Sequence, residues 1–271
     1  MANALSQEKK EQTFSNFMTQ PAIVQKVNNM VGGKNAQRFI TAIISAVSNN
    51  PALQECNQSS VLSAALLGEG LKLSPSPQLG QYYMVPYNSK IGKVAQFQIG
   101  YKGYIQLAIR SGQYKKLNVL AIKEGELIGY DPLNEDIRVN LINDEVIREK
   151  TPTIGYYAMF EYINGFRKTL YWSKEKMEMH ALTYSKGYQA KKGTTFWEKD
   201  FDGMAYKTML RQLISKWGIM SIDMQTAFEN DMGAINENGE VEYIDNSESI
   251  VTETNTTYSN EVIDNSFDPM M

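Results

Sequence analysis

The spacing of the apolar residues changes near Tyr82, and this change restricts the choice of folds more than any other part of the sequence. Before it, the stretch NAQRFITAIISAVSNN places apolar residues at helical spacing, and a second helix is predicted from Ser60 to about Glu69. After it, QYYMVPY and VAQFQI alternate as two strands of a hairpin, and the dipeptide Asn164-Gly165 marks another hairpin. The pattern predicts an α+β fold, with an antiparallel sheet, helices packed on it and a helical N-terminal cap.

The same two periods continue through the second half of the chain. A short helix is predicted from Tyr101 to Arg110, and LNVLAI, ELIGY and IRVNLI follow as strands. Ser173 is placed to cap a further helix, and a long helix is predicted from Phe196 to Trp217. No internal repeat or coiled-coil heptad is visible in the sequence.

Charge divides the chain more sharply than its total of −3 implies. Residues 1–228 hold all 27 Lys and Arg but only 19 of the 30 Asp and Glu, whereas the segment from Glu229 onward holds eleven acids and no base. The positive body favours a nucleic-acid partner, which the whole-chain charge conceals. Three regions are predicted: a flexible N-terminal arm (1–34) with one short helix near Phe14 to Val31, a core (35–228) whose positive charge suits a nucleic acid, and a disordered acidic tail (229–271). Three roles are open for the tail: a solubilising segment, an occupant of the basic groove, or a docking site for a partner protein.

Composition excludes several kinds of site. The single cysteine, Cys56, prevents an internal disulfide, and the single histidine, His180, leaves too few ligands for zinc, so any bound metal would be oxygen-ligated, such as magnesium. No G-x-x-x-x-G-K-[ST] string is present to cradle the phosphates of ATP. There is neither a long apolar run nor a secretory signal, so a cytosolic protein without membrane contact is expected. The acids between the strands are interpreted as surface carboxylates rather than as a nuclease site: Glu124, Glu126, Asp131, Glu135, Asp136, Asp144 and Glu145.

Basic residues next to aromatic or amide side chains recur in four segments, and single-stranded nucleic acids require this combination for phosphates and bases. On the predicted helix after the first hairpin, Lys102, Gln106 and Arg110 fall on one side. On the long helix, Lys207 and Arg211 form a like-charge pair with no acid nearby, which an anionic partner would stabilise. The remaining candidates are lysines of two loops: Lys115, Lys116, Lys186, Lys191 and Lys192. An ordinary solvated surface is the alternative for each of them.

Four segments of the sequence resemble the RecT family of phage and prophage recombinases. They are SVLSAALLGEGLKLSPSPQLGQYYMVPY, AQFQIGYKGYIQLAIRSGQYKKLNVLAIKEGE, GYYAMFEYINGFRKTLYW and WEKDFDGMAYKTMLRQLISKWG, within about residues 35–228. The resemblance implies a protein that is not an enzyme, which coats single-stranded DNA and anneals it to a complementary strand without ATP, as rings or helical filaments. It also implies a bacterial host cytoplasm, a homo-oligomer, a phage exonuclease and the host single-strand-binding protein as partners, and no cofactor beyond magnesium as a DNA counterion.

The same resemblance assigns residues to a basic groove for single-stranded DNA and the annealed duplex. Phe97 and Gln98 would touch bases, and the neighbouring hairpin would lie between or beside them. The implied phosphate contacts are Lys102, Gln106, Arg110, Lys115 and Lys116 on one wall, Lys207 and Arg211 on the opposite wall, and Lys186, Lys191 and Lys192 in a loop.

Three other functions are compatible with the residue pattern. A passive single-stranded nucleic-acid-binding protein would use the same basic surface without annealing. A magnesium nuclease would use the acidic clusters, and a structural protein would assemble without regard to DNA. Spacing supports only a nucleic-acid-binding face, and annealing follows from the resemblance.

Overall fold

The computed structural model of the chain describes residues 13–89, 92–193, 195–235 and 241–243. It confirms the α+β class, since helices pack on antiparallel strands. Within these residues the strands form three sheets rather than one. The predicted disorder of the acidic tail concerns residues 236–240 and 244–271, which lie outside the described residues.

The elements are numbered in chain order. The helices are α1 (Phe14–Met18), α2 (Pro21–Val31), α3 (Gly33–Ser48), α4 (Pro51–Gln54), α5 (Gln58–Gly70), α6 (Tyr101–Arg110), α7 (Glu145–Lys150), α8 (Lys174–Tyr184), α9 (Lys186–Gln189), α10 (Phe196–Lys199), α11 (Phe201–Trp217) and α12 (Ile222–Asn230). The strands are β1 (Tyr82–Ser89), β2 (Gly92–Ile99), β3 (Tyr114–Lys123), β4 (Leu127–Asp131), β5 (Asp136–Val139), β6 (Thr153–Tyr162), β7 (Arg167–Ser173), β8 (Gly233–Ile235) and β9 (Val241–Tyr243).

Helices α1 to α5 form the predicted N-terminal cap, and it begins earlier than the sequence indicated. Pro21 starts α2, because proline fits the first turn of a helix, and it separates α2 from α1. Met18 of α1 and Val27 of α2 are completely buried in the same apolar cluster as α3 and α5. Residues 14–34 therefore belong to the folded body, whereas a flexible arm was expected.

The first sheet has the strand order β1-β2-β8-β9. Its β1–β2 hairpin is the one predicted, in unbroken register from Tyr82 opposite Ile99 to Ser89 opposite Gly92. Strand β1 lies at the edge, which suits Pro86 because proline has no amide hydrogen to donate to a further strand. On its other side β2 pairs with β8, so the segment expected to begin the acidic tail instead extends the sheet.

The second sheet, β3-β6-β7, contains the hairpin predicted at Asn164-Gly165. Gly165 has φ 87°, a conformation that glycine adopts without strain. Strands β4 and β5 form a small separate sheet beside it, and the ring of Tyr130 on β4 lies 5.3 Å from that of Tyr171 on β7.

The predicted long helix is interrupted at Asp200. Thr195 and Glu198 form a capping box for α10, and the Asp200 carboxylate then accepts a hydrogen bond from the Gly203 amide and caps α11. A Cβ at position 203 would lie 2.2 Å from Asp200 Oδ2, so a larger residue there would require the Asp200 side chain to shift. Phe196 therefore lies on the short helix α10 and not on α11.

Helix α11 joins the two apolar clusters of the protein. Leu210 and Ile214 pack in the cluster of the N-terminal cap and the first sheet, whereas Met209 and Leu213 pack in the cluster of the second sheet, α8 and α10. No helix of the described residues is both long enough and apolar enough to cross a membrane.

Candidate nucleic-acid interface

A cleft of about 1040 Å³ opens between α3, the loop after α5 and strand β1. Tyr83 of β1 and Phe196 of α10 both line it, and their ring centroids are 5.5 Å apart. Phe196 is 39% exposed, so part of this aromatic pair faces solvent. Two adjacent rings at the wall of an open cleft form a surface on which nucleobases can stack.

Cations border the aromatic pair. Arg38 of α3 and Lys72 of the loop after α5 line the cleft, together with one acid, Glu69. The Lys102 side chain on α6 lies against the same loop, since a Cβ added to Gly80 would be 3.4 Å from Lys102 Cδ and 3.0 Å from the Tyr83 hydroxyl oxygen. All three cations are exposed and take part in none of the ion pairs of the described residues. They are therefore available to an anionic ligand.

The predicted lysine loop contacts the start of α10, the helix that carries Phe196. A Cβ on Gly187 would be 2.6 Å from Thr195 Cγ2, so the loop folds back on the residue before Phe196. The amide of Gly193 donates to Glu198 Oε1 at 2.8 Å, which fixes the far end of the loop to α10. The loop that makes these two contacts carries three exposed lysines: Lys186, Lys191 and Lys192.

Arg110 has a positioning role that the sequence did not indicate. Its Nη2 donates to the Leu71 carbonyl at 2.5 Å and its Nη1 to the Lys72 carbonyl at 3.4 Å, so it anchors the loop that forms one wall of the cleft. Lys102 and Gln106, on the same side of α6, remain exposed. Of the predicted stripe, Lys102 thus lies at the cleft and Arg110 supports it.

Lys207 and Arg211 have their anionic partner inside the protein, which contradicts the predicted phosphate contact of the buried Lys207, whereas the Arg211 side chain is 35% exposed. Asp231, which follows α12, has a fully buried carboxylate that accepts from Lys207 Nζ at 2.9 Å and from Arg211 Nη1 at 2.6 Å. Lys207 is only 6% exposed, and no phosphate can reach it in this arrangement. The like-charge pair is therefore relieved by an acid of the chain itself, not by DNA.

Two further groups complete the environment of Asp231. The amide of Ile99 and the hydroxyl of Tyr104 donate to its carboxylate at 3.0 and 3.1 Å. Burial raises the pKa of Tyr104 well above its ordinary value, so this hydroxyl keeps its proton. Burial also lowers the pKa of Lys207, and the attraction of Asp231 opposes this shift. The network ties the end of α12 to α6, α11 and β2.

Phe97 does not touch bases, which is a second correction. Its ring is completely buried and lies 5.3 Å from the ring of Tyr82, because odd-numbered residues of this part of β2 face the core. Gln98 faces the other way and is half-buried, with its amide donating to Gln96 Oε1 at 2.7 Å. At the hairpin tip Lys93 pairs with Glu55, and Lys90 lies outside the described residues.

Lys115 and Lys116 are exposed on β3, and no described contact joins them to the cleft. Their Nζ atoms are 2.6 and 3.8 Å from the carboxylate of Glu161 on β6. Glu126, interpreted as a surface acid, is instead completely buried and forms an ion pair with Arg148. Among the described residues no group of three or more His, Cys, Asp or Glu is placed to hold a metal ion.

Four residues of the cleft were not predicted from the sequence: Arg38, Lys72, Tyr83 and Phe196. Two of them lie close to the segment LSPSPQLGQ: Lys72 directly precedes it and Tyr83 is the second residue after it. Its two prolines and lack of periodicity identify the segment as a loop that leads into β1. The prolines and the lack of periodicity indicate an irregular loop, but they do not show which helix the loop packs against.

Comparison with known proteins gives a consistent family assignment. The model of the RecT family matches residues 37–244. The uncharacterized protein YqaK of Bacillus subtilis (strain 168) is 41% identical over 215 residues, which cover 79% of this chain and 70% of that protein. Protein RecT of Escherichia coli (strain K12) is 30% identical over 221 residues, 79% of this chain and 78% of its own. The chain therefore belongs to the RecT family, whose members act in DNA recombination by annealing single strands.

Proposed function

We propose that this protein binds single-stranded DNA in the cleft between α3 and β1 and anneals complementary strands without ATP, as an oligomer, in phage homologous recombination. The observation that carries the proposal is the Tyr83–Phe196 pair with exposed cations around it, in a chain of the RecT family. Aromatic rings bind bases of any sequence, and cations neutralise the phosphates between them.

The cleft orients the strand by separating these two tasks. Bases stack on Tyr83 and Phe196, while Arg38, Lys72 and Lys102 and the lysine loop hold phosphates. Base edges that are not engaged by the protein remain free to pair with a second strand. Duplex stacking supplies about 1.4 kcal/mol per step, so annealing needs no nucleotide hydrolysis once the strands are aligned.

The decisive experiment follows the annealing of two complementary, fluorescently labelled oligonucleotides without nucleotide. We expect the protein to accelerate duplex formation, and we expect both strands to stay intact when magnesium is added. Binding without acceleration would show a passive single-strand-binding protein, and shortened strands would show a nuclease. Assembly that is indifferent to DNA would show a structural protein.

The cleft is tested by removing its charge and its aromatic surface separately. Replacement of Arg38 and Lys102 by Gln should weaken binding and lower the log-log salt slope by about 0.7 for each phosphate that is no longer neutralised. Phe196→Ala should weaken binding by about 1–3 kcal/mol with little change in that slope. Lys26→Gln, an exposed lysine of α2 away from the cleft, is the matched control. An unchanged slope in the Arg38/Lys102 variant would remove these residues from the site.

The family resemblance extends the proposal to the partners of the protein. We assign it to the cytoplasm of a bacterial host, with a phage exonuclease that produces the strand and the host single-strand-binding protein as partners. Magnesium would act only as a counterion to DNA. Affinity capture from phage-infected cells, with and without nuclease treatment, separates direct protein partners from those bridged by DNA.

A further inference from the structure

One part of the second half of the fold is strongly acidic and also exposes apolar side chains. Residues 124–150, which comprise β4, β5 and α7, hold eight carboxylates against three basic residues. Val146 and Ile147 of α7 are 63% and 56% exposed. We call the exposed apolar side chains of this part, with the acids around them, the acidic surface: Ile128, Leu133, Val139, Leu141, Val146 and Ile147.

A buried ionic network holds the acidic surface in shape. The Glu126 carboxylate accepts from the amides of Lys123 and Ile142 at 2.8 and 3.1 Å and from Arg148 Nε at 2.6 Å. Arg148 also donates to the Ala121 carbonyl at 2.7 Å, which ties α7 to β3. The network thus fixes α7, which carries Val146 and Ile147, and the segment at Ile142 to the end of β3.

A second surface combines exposed apolar residues with positive charge. The Tyr162 hydroxyl accepts from the Ile219 amide, and its ring stacks at 5.9 Å on Phe166, so the β6–β7 turn and the end of α11 form one continuous face. Lys168 Nζ lies 3.7 Å from the centroid of the Trp217 ring on this face. We call it the basic surface, and its exposed apolar members are Ile163, Phe166, Trp217, Ile219, Met220 and Ile222.

Basic residues around the basic surface outnumber the acids, although Lys168 is paired with Glu135 of the same chain and Asp223 follows Ile222. Lys115, Lys116 and Arg167 surround the single carboxylate of Glu161, and together they lower its pKa, chiefly through the hydrogen bond from Lys115. Lys216 is exposed beside Trp217. The surface therefore carries a net positive charge next to its apolar residues.

We infer that the acidic surface of one copy of this chain docks on the basic surface of the next. The two surfaces are opposite in charge. Both also expose aliphatic side chains, which are buried in protein–protein interfaces but do not contribute to the binding of phosphates or bases. A contact between two different patches can repeat from copy to copy, so it suits the oligomer in the proposed function, on which the inference rests. It also gives Lys115 and Lys116 a role at the interface, not at the cleft.

The test uses two double variants of exposed residues. Val146→Ser/Ile147→Ser alters the acidic surface and Ile219→Ser/Ile222→Ser alters the basic surface, while Met30→Ser, at a 62% exposed site on α2, is the matched control. Sedimentation velocity, with and without an oligonucleotide, should show self-association weakened about tenfold or more in each double variant and unchanged in the control. Circular dichroism checks that the variants are folded.

Mixing the two double variants makes the test specific. Each variant keeps the surface that the other has altered, so the mixture should form dimers that neither forms alone. The inference is overturned if the wild-type chain is monomeric, if both variants assemble like the wild type, or if the mixture does not complement. Equal assembly with weaker DNA binding would identify the basic surface as a DNA site. A wild-type chain that assembles but binds no DNA would instead overturn the proposed function and leave the docking intact.

Discussion

Asp231 changes the interpretation of the basic pair Lys207 and Arg211. Lys207 and Arg211 stand four positions apart on α11 without a local acid, which at the level of sequence indicates a ligand. The acid that they bind lies twenty positions beyond Arg211 and reaches them only through the packing of α12. One carboxylate faces two cations, so its loss would leave both without a counterion.

Replacing Asp231 should destabilise the fold severely. Breaking a buried ion pair by removing one partner costs about 3–5 kcal/mol, since the remaining charge stays desolvated. We expect Asp231→Ala to lower the free energy of unfolding by that amount in urea denaturation. Asp223→Ala, at an exposed site of the preceding helix α12, should change it by less than about 0.5 kcal/mol. Equal losses in the two variants would contradict the role of Asp231.

The same geometry predicts how the two cations affect DNA binding. Because Lys207 is buried and both cations are bound to Asp231 of the same chain, Lys207→Met and Arg211→Met should leave the salt dependence of single-stranded DNA binding unchanged, once affinity is expressed per folded molecule. Arg38→Gln and Lys102→Gln should reduce that dependence. Oligonucleotide titrations at several salt concentrations, with the folded fraction measured in parallel, compare the two pairs. A reduced slope in the Met variants would return these residues to the DNA interface.

At the scale of elements, the periodicity of the sequence located most helices and strands. Asn164-Gly165, Ser173 and the hairpin at Tyr82 behave as their local chemistry predicts. Local signals did not predict the break between α10 and α11, where Asp200 ends the preceding helix and its carboxylate caps a new one. They also failed for the division of strands among sheets, because pairing such as that of β2 with β8 depends on residues more than a hundred positions apart.

The candidate site was predictable only in part for the same reason. Lys102 and the lysine loop were found from their own neighbours in sequence. The Tyr83–Phe196 pair joins a strand to a helix more than a hundred positions later, and no spacing rule connects them. Phe97 was misplaced because alternation shows that a strand has two faces but does not tell which face is buried.

Glu126 gives the segment from β4 to α7 a specific pH dependence. Burial raises the pKa of this carboxyl, but hydrogen bonds from Arg148 and from two backbone amides outweigh it and hold the pKa below its ordinary value. Its contribution to stability is therefore complete above the unfolded value of about 4.3 and is lost as pH falls through the lower folded value.

We expect Glu126→Gln to be less stable than the wild type at pH 7 and the difference to shrink as the solution is acidified below about pH 4. Urea denaturation at successive pH values measures this difference. Glu124→Gln, an exposed neighbour, serves as the control. A difference that stays constant down to about pH 3 would argue against an ionised Glu126 in the folded protein.

At the scale of the whole molecule, opposite charges are separated along the chain. Residues 244–271 contain six acids and no base, so cutting the chain after Tyr243 changes its net charge from −3 to +3. Because net charge steers a polyanion over several ångströms of solvent, the shortened chain should bind single-stranded DNA about three- to tenfold more tightly at low salt. The gain should vanish at high salt.

A full-length variant with those six acids changed to Asn or Gln separates charge from length. It should bind like the shortened chain in fluorescence anisotropy with a labelled oligonucleotide. If it binds like the wild type while the shortened chain binds more tightly, length rather than charge is responsible. Equal affinities for all three chains at low salt would show that this segment has no influence on binding.

The position of Asp231 also matters while the protein is being made. The ribosome releases Lys207 and Arg211 before it releases Asp231, so for an interval α11 exists without its counterion. During that interval the charge of Lys207 lies on a face that is buried in the folded protein, and Arg211 beside it also lacks its counterion. Helix α11 thus gains its internal counterion only when the residues after α12 have emerged.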